Sequence, residues 1–228
     1  MSSIAIAPVT GVPEVTAGDD VAALIVAASG TDRLQDDDVL VVAQKIISKS
    51  EGRVVPAADR RDAAHAESVR VLRRSGEMII SETRHGLICA NAGVDASNVD
   101  KGSVVLLPLD PDLSARRLRA RIANLTGRDV AVIVADTFGR AWRLGQTNVA
   151  IGVAGMDPFT DYRGSTDAFG NELSATRICI ADELAGAAEI VMGKSSGICA
   201  AIVSGAPIVR SADSAASIIR PPGEDMFR

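Results

Sequence analysis

Asp129-Val130-Ala131-Val132-Ile133-Val134-Ala135 runs directly into Asp136-Thr137-Phe138-Gly139-Arg140-Ala141-Trp142-Arg143. The first half is β-branched, apolar and free of proline, which predicts a strand buried on both faces. The second half then places a carboxylate and a hydroxyl at the carboxyl end of that strand, the edge at which open α/β sheets bind ligands. Asp136 and Thr137 side by side make a hard-oxygen half-site for Mg²⁺ or Mn²⁺, and Arg140 and Arg143 are cations suited to phosphate oxygens. The ordinary structural alternative is an aspartate capping the next turn and two arginines on a wet face.

Working outward, strand-like runs recur at Asp38 to Val42, Glu77 to Ile80, Ser103 to Leu107, Asn148 to Val153 and Ala200 to Val203. Segments of helical period lie between them, from Asp19 to Ser29, Arg60 to Arg74, Leu113 to Leu125 and Leu173 to Met192. This alternation predicts an α/β fold, with Asp112 and Gly127 as start and stop signals of the third helix. Polar, glycine-bearing segments at 45–52, 81–99, 136–147 and 155–172 read as loops that carry the chemistry. The tail, Arg220 to Arg228, is broken by Pro221 and Pro222 and reads as a surface strap.

The chain has 228 residues, of which 47% are hydrophobic and 23% charged, enough for a single globular unit with its own core. A net charge of −5 removes the basic stripe that nucleic-acid backbones require, so nucleic acid is not an expected partner. Three widely spaced cysteines argue for a reducing compartment, and no leader-like or membrane-spanning apolar stretch is present in the sequence. The expectation is a cytoplasmic protein without membrane contact.

Three further constellations carry polar chemistry. Asp95 and Asn98 sit three apart on a turn that follows a short apolar run, a spacing that serves either an Asx turn or a metal-and-ligand pair. Lys45 and Lys49, with Ser48 and Ser50, begin at the end of a predicted buried strand and suit a triphosphate or a solvated turn. Ala188 to Ser195 satisfies a relaxed phosphate-loop pattern. A helical run precedes that pattern and a strand follows it, so Gly193 reads as a helix stop instead. His85 and Cys89, four apart, lack the further soft ligands that zinc needs.

Taken in order, several motifs resemble the coenzyme F420 gamma-glutamyl ligase family. They are Lys49-Ser50-Glu51-Gly52-Arg53, Cys89-Ala90-Asn91-Ala92-Gly93-Val94-Asp95 with Ser97-Asn98, Leu106-Leu107-Pro108 with Asp110-Pro111-Asp112, Asp136 to Arg143, and Asp161-Tyr162-Arg163-Gly164-Ser165. The resemblance runs from Gly11-Val12-Pro13 to the tail and is to the stand-alone ligase, without a C-terminal flavin-binding reductase domain. It implies one catalytic unit over residues 1–228, a two-lobed α/β fold with a mixed sheet, and an intertwined homodimer.

The resemblance also implies the reaction: GTP phosphorylates a carboxylate of coenzyme F420-0, and the amine of L-glutamate displaces phosphate, with further gamma-linked additions in some members. By the same resemblance Asp95, Asp136 and Thr137 are divalent-metal ligands, for Mg²⁺ or Mn²⁺, and K⁺ assists. Val12, Pro13, Glu14, Val15, Gln44, Lys49, Asn98, Gly193, Lys194 and Ser195 are the implied GTP contacts, with Gln44 standing where the family usually has a small hydroxyl residue. Ile198-Cys199 follow Gly197 where a proline is usual. Arg140 and Arg143 are inferred to clamp phosphate or substrate. The rival readings of the same residues are a metal-dependent GTP phosphohydrolase and a non-catalytic nucleotide-binding subunit.

Overall fold

The computed structural model describes residues 3–226; Met1, Ser2, Phe227 and Arg228, and with them the extreme ends of the N-terminal and tail readings, lie outside the described residues. The chain begins with β1 (Ala5–Pro8), α1 (Val21–Ser29), β2 (Val39–Ala43), α2 (Gln44–Ser50), β3 (Val54–Pro56) and α3 (Arg60–Ala66). Next come β4 (Ser68–Ser75), β5 (Met78–Thr83), β6 (Ile88–Ala90), β7 (Ser103–Val105) and α4 (Pro111–Thr126). The chain continues with β8 (Ala131–Arg140), β9 (Arg143–Ala154), β10 (Thr160–Asp161), β11 (Arg177–Ile178), α5 (Ile180–Met192) and β12 (Ala200–Ser204).

Five strands form a mixed sheet in the order β1-β12-β2-β8-β9, in which only the β2–β8 pair is parallel. Side chains alternate across it as a pleated strand requires. Leu40, Val42, Val132, Val134 and Ile202 join α1 and α4 in one core, while Val39, Val41, Ile133 and Val203 join α5 in the other. Both faces are therefore covered, which is why β2 and β8 read as continuous apolar runs rather than alternating ones. A satellite cluster of Ala64, Ile79, Val94, Val104 and Leu106 holds α3 against the β4-β5-β6 and β3-β7 sheets. Among the described residues no helix is long and apolar enough to cross a membrane.

The structure alters several sequence expectations. The helix expected over Arg60 to Arg74 stops at Ala66, because Ser68 to Ser75 pairs with β5 and the hairpin turns at Gly76, whose φ of 58° suits a residue without a β-carbon. The helix expected from Leu173 starts only at Ile180, where the apolar period of Ala181, Leu184, Ala185, Ala188 and Met192 begins. The third helix is capped by Asp110, which accepts from the Leu113 N–H, rather than by Asp112. Asp112 instead accepts the N–H groups of Val153, Ala215 and Ala216. Segments 45–52 and 136–147, expected as loops, are largely helix α2 and the extended β8–β9 hairpin, and β1 and β4 were not anticipated.

Candidate active site

The parallel register places Ala43 opposite Ala135, so Gln44, where β2 gives way to α2, follows beside Asp136, which continues in β8 paired with Val149 of β9. Two more segments reach the same edge. Ala43 N–H donates to the Cys199 carbonyl at 2.8 Å, bringing in the 193–199 loop, and Val9 N–H donates to Ala200 at 2.9 Å, bringing in the 9–15 segment. The four segments enclose a cavity of about 350 Å³.

All ten nucleotide contacts implied by resemblance line this cavity: Val12, Pro13, Glu14, Val15, Gln44, Lys49, Asn98, Gly193, Lys194 and Ser195, together with Asp136 and Thr137. Helix α2 explains the lysine spacing, because positions four apart share a helix face. Lys45 and Lys49 both face the cavity, while Gln44 and Ser48 share the buried face through an Oγ–H···Oε1 bond of 2.8 Å. The Gln44 amide nitrogen, by contrast, has no partner, although the residue is only 1% exposed. Lys49 pairs with Glu14 across the cavity mouth. Gly193 ends α5 and a strand follows at Ala200, the opposite of the strand-to-helix order of a phosphate loop.

Asp95 lies just outside the lining and is tied to it by Lys45, whose Nζ is 2.8 Å from Oδ2. Its loop is fixed by paired backbone bonds to Val105, and its carboxylate accepts the Ser97 N–H at 2.7 Å and hydroxyl at 3.1 Å. The Asx turn expected at Asp95 is therefore present. Burial acts to raise the Asp95 pKa; Lys45 and the Ser97 donors outweigh it and hold the carboxyl below the usual carboxylate range. Asp136 behaves oppositely. Desolvation pushes it up to about 6, the negative charge of Asp95 adds to the rise, and the Thr137 N–H, Lys194 and Lys45 oppose it.

A carboxylate whose ionisation is made costly by burial and by the neighbouring Asp95 charge, beside a hydroxyl, makes with Asp95 a donor set that a hard cation would relieve. Lysine ammonium groups already lie on these oxygens, Lys45 on Asp95 and Lys194 on Thr137, so the site accepts positive charge. No three His, Cys, Asp or Glu side chains converge among the described residues. A cation here would thus complete its shell with water and phosphate oxygens, the habit of Mg²⁺ and Mn²⁺.

Arg140 and Arg143 are not brought to the cavity. They occupy the tip of the β8–β9 hairpin, where Arg140 donates to the Leu144 carbonyl at 2.8 Å and both side chains are exposed. Trp142 and Leu144 beside them are 88% and 97% exposed. The sequence reading missed Asn148 and Glu189, which line the cavity behind Thr137. The signal for Asn148 was present as an amide opening the buried apolar half of β9, while Glu189 resembled any polar position on an amphipathic helix. His85 contacts Thr83 and the Pro108 carbonyl.

The family described as F420-0:gamma-glutamyl ligase matches residues 11–205. Similar proteins include the coenzyme F420:L-glutamate ligase of Methanothermobacter thermautotrophicus, 41% identical with 99% of each chain covered. The protein of the same description from Archaeoglobus fulgidus is 40% identical, covering 97% of this chain and 95% of its own. That of Methanopyrus kandleri is 39% identical over 100% of this chain and 99% of its own.

Proposed function

The chain belongs to the F420-0:gamma-glutamyl ligase family, and from that premise we propose that it joins L-glutamate to coenzyme F420-0 in the cytoplasm at the expense of GTP, as a step of coenzyme F420 biosynthesis. The observation that carries the reading is the convergence of Asp136, Thr137, Lys49, Asn98 and Lys194 on one cavity from segments distant in sequence. A carboxylate of coenzyme F420-0 attacks the terminal phosphorus of GTP, GDP departs, and the glutamate amine then displaces phosphate from the acyl phosphate to form the amide. Such chemistry is largely a matter of positioning and charge neutralisation.

Asp95, Asp136 and Thr137 would hold Mg²⁺ or Mn²⁺, which when bound neutralises charge on the phosphate oxygens. Lys49 and Lys194 face the same space and oppose the negative charge of the triphosphate, while Asn98 and the unpartnered Gln44 amide supply hydrogen-bond donors. Val12, Pro13, Glu14 and Val15 close the cavity from the β1 side. K⁺ and a homodimeric assembly complete the proposal. In the dimer the exposed β8–β9 hairpin, with Arg140 and Arg143 at its tip, reaches across to the second copy.

The deciding experiment is mass spectrometry of the deazaflavin after incubating the purified protein with coenzyme F420-0, L-glutamate, GTP and Mn²⁺. A glutamate-sized increase that requires GTP supports the ligase. Phosphate release from GTP with no mass increase supports the phosphohydrolase, and GTP binding with neither supports a nucleotide-binding subunit.

A further inference from the structure

The Thr137 hydroxyl has one proton, and it is committed: Oγ1 donates to Oδ1 of Asn148 at 2.6 Å. Asn148 cannot turn its amide to present a donor there without giving up its own bond, because its Nδ2 donates to Glu189 Oε2 at 3.1 Å. The amide is only 4% exposed, so water offers no ready replacement. With its proton held from behind, Thr137 Oγ1 is left as an acceptor toward the cavity, and there it meets the Lys194 ammonium. The remaining oxygen of Glu189 stands 3.9 Å from the same ammonium.

From this chain of bonds we infer that Asn148 and Glu189 are positioning residues: they polarise the Thr137 hydroxyl outward and so station the Lys194 ammonium at the phosphate end of the cavity. Lys194 is 64% exposed along its side chain and sits on the loop after α5. A long flexible amine in that setting loses side-chain entropy when a ligand fixes it. Tethered to Thr137 and Glu189, it is pre-organised to meet a terminal phosphate, and part of that ordering cost is met before the nucleotide arrives. The roles are distinct: Lys194 touches the ligand, whereas Asn148 and Glu189 act through Thr137 and Lys194.

This inference rests on the nucleotide reading of the cavity, and the test separates the two. Binding of guanylyl imidodiphosphate with Mg²⁺ is measured by calorimetry for the wild-type protein, Asn148→Leu, Glu189→Ala, Lys194→Met and the pair Asn148→Leu with Lys194→Met. Asn148→Leu and Glu189→Ala are each expected to weaken binding about tenfold, the scale of one charge-assisted hydrogen bond. The double variant is expected to bind no worse than Lys194→Met alone, a non-additivity that generalised damage to the fold would not produce. Glu189 lies on a helix where alanine is well tolerated, so that variant reports even if Asn148→Leu fails to fold. Additive losses, or single variants that bind as wild type does, would overturn the inference while leaving the nucleotide reading intact. Absence of binding by the wild-type protein would overturn both.

Discussion

At the scale of the single residue, the cavity separates groups that hold the ligand from groups that merely adjoin it. Asp136→Asn removes the charge whose ionisation the site makes costly, so it should abolish divalent-dependent GTP binding while leaving thermal stability equal to or above that of wild type. Calorimetry with and without Mn²⁺, beside a melting curve, checks both halves. Lys49→Ala should raise the KM for GTP about tenfold with a smaller effect on kcat, because a phosphate-holding cation contributes mainly to uniform binding; steady-state kinetics decide it. Cys179 should resist alkylation at pH 8 in the native state, since desolvation and then the Asp182 charge push its thiol up to about 12; peptide-level mass analysis after iodoacetamide treatment, which separates Cys179 from Cys89 and Cys199, reads this. Asp136 and Thr137 were legible because they follow directly on an uninterrupted apolar run, although the strand itself continues to Arg140. Asn148 and Glu189 were not, because their role depends on which strand and helix lie behind Thr137, and spacing along the chain says nothing of that.

Elements meet through a few close approaches that local periodicity does not reveal. A β-carbon added at Gly152 would lie 2.3 Å from the Pro111 carbonyl oxygen, so β9 can pass the start of α4 only as glycine. Gly152→Ala should destabilise the protein by about 1–3 kcal/mol in urea denaturation, the range of overpacking. Asp112, at the same junction, ties α4 to β9 and to the 215–216 turn through three N–H groups. Asp112→Ala should cost about 1–3 kcal/mol by leaving those donors unpaired, measured in the same way. Helices α1 and α4 were readable from their apolar periods. By contrast α2 reads as a loop from sequence, because its seven residues hide the polar Gln44 and Ser48 along with Ile46 and Ile47 and are too short a window for a 3.6-residue period to declare itself. The stretch from Ser68 was read as a continuation of α3, although its valines at 69 and 71 fit period two as well as a helix.

Across the whole molecule, the α/β class followed from the alternation of runs, but not the strand order or the single parallel pair, which depend on partners far apart in the sequence. Oligomerisation belongs to this scale. The chain has one tryptophan, and it is the exposed Trp142 of the hairpin. If the hairpin crosses to a second copy, sedimentation should give twice the monomer mass, and dilution should shift the tryptophan emission to the red as the ring returns to water. A monomer at all concentrations with invariant emission would remove the hairpin from any interface.

The sheet also has a second end, where β2 and β8 begin and where Arg210 ties Asp37 at 2.9 Å to the Gly155 carbonyl at 3.3 Å. No residue of the cavity lies there. The molecule is therefore divided into an end answerable to chemistry and an end answerable only to folding. Inherited change should accumulate unequally between them, with lengthened turns near Thr31 and Asp32 surviving in descendants where a single inserted residue after Ala43 or Ala135 would not.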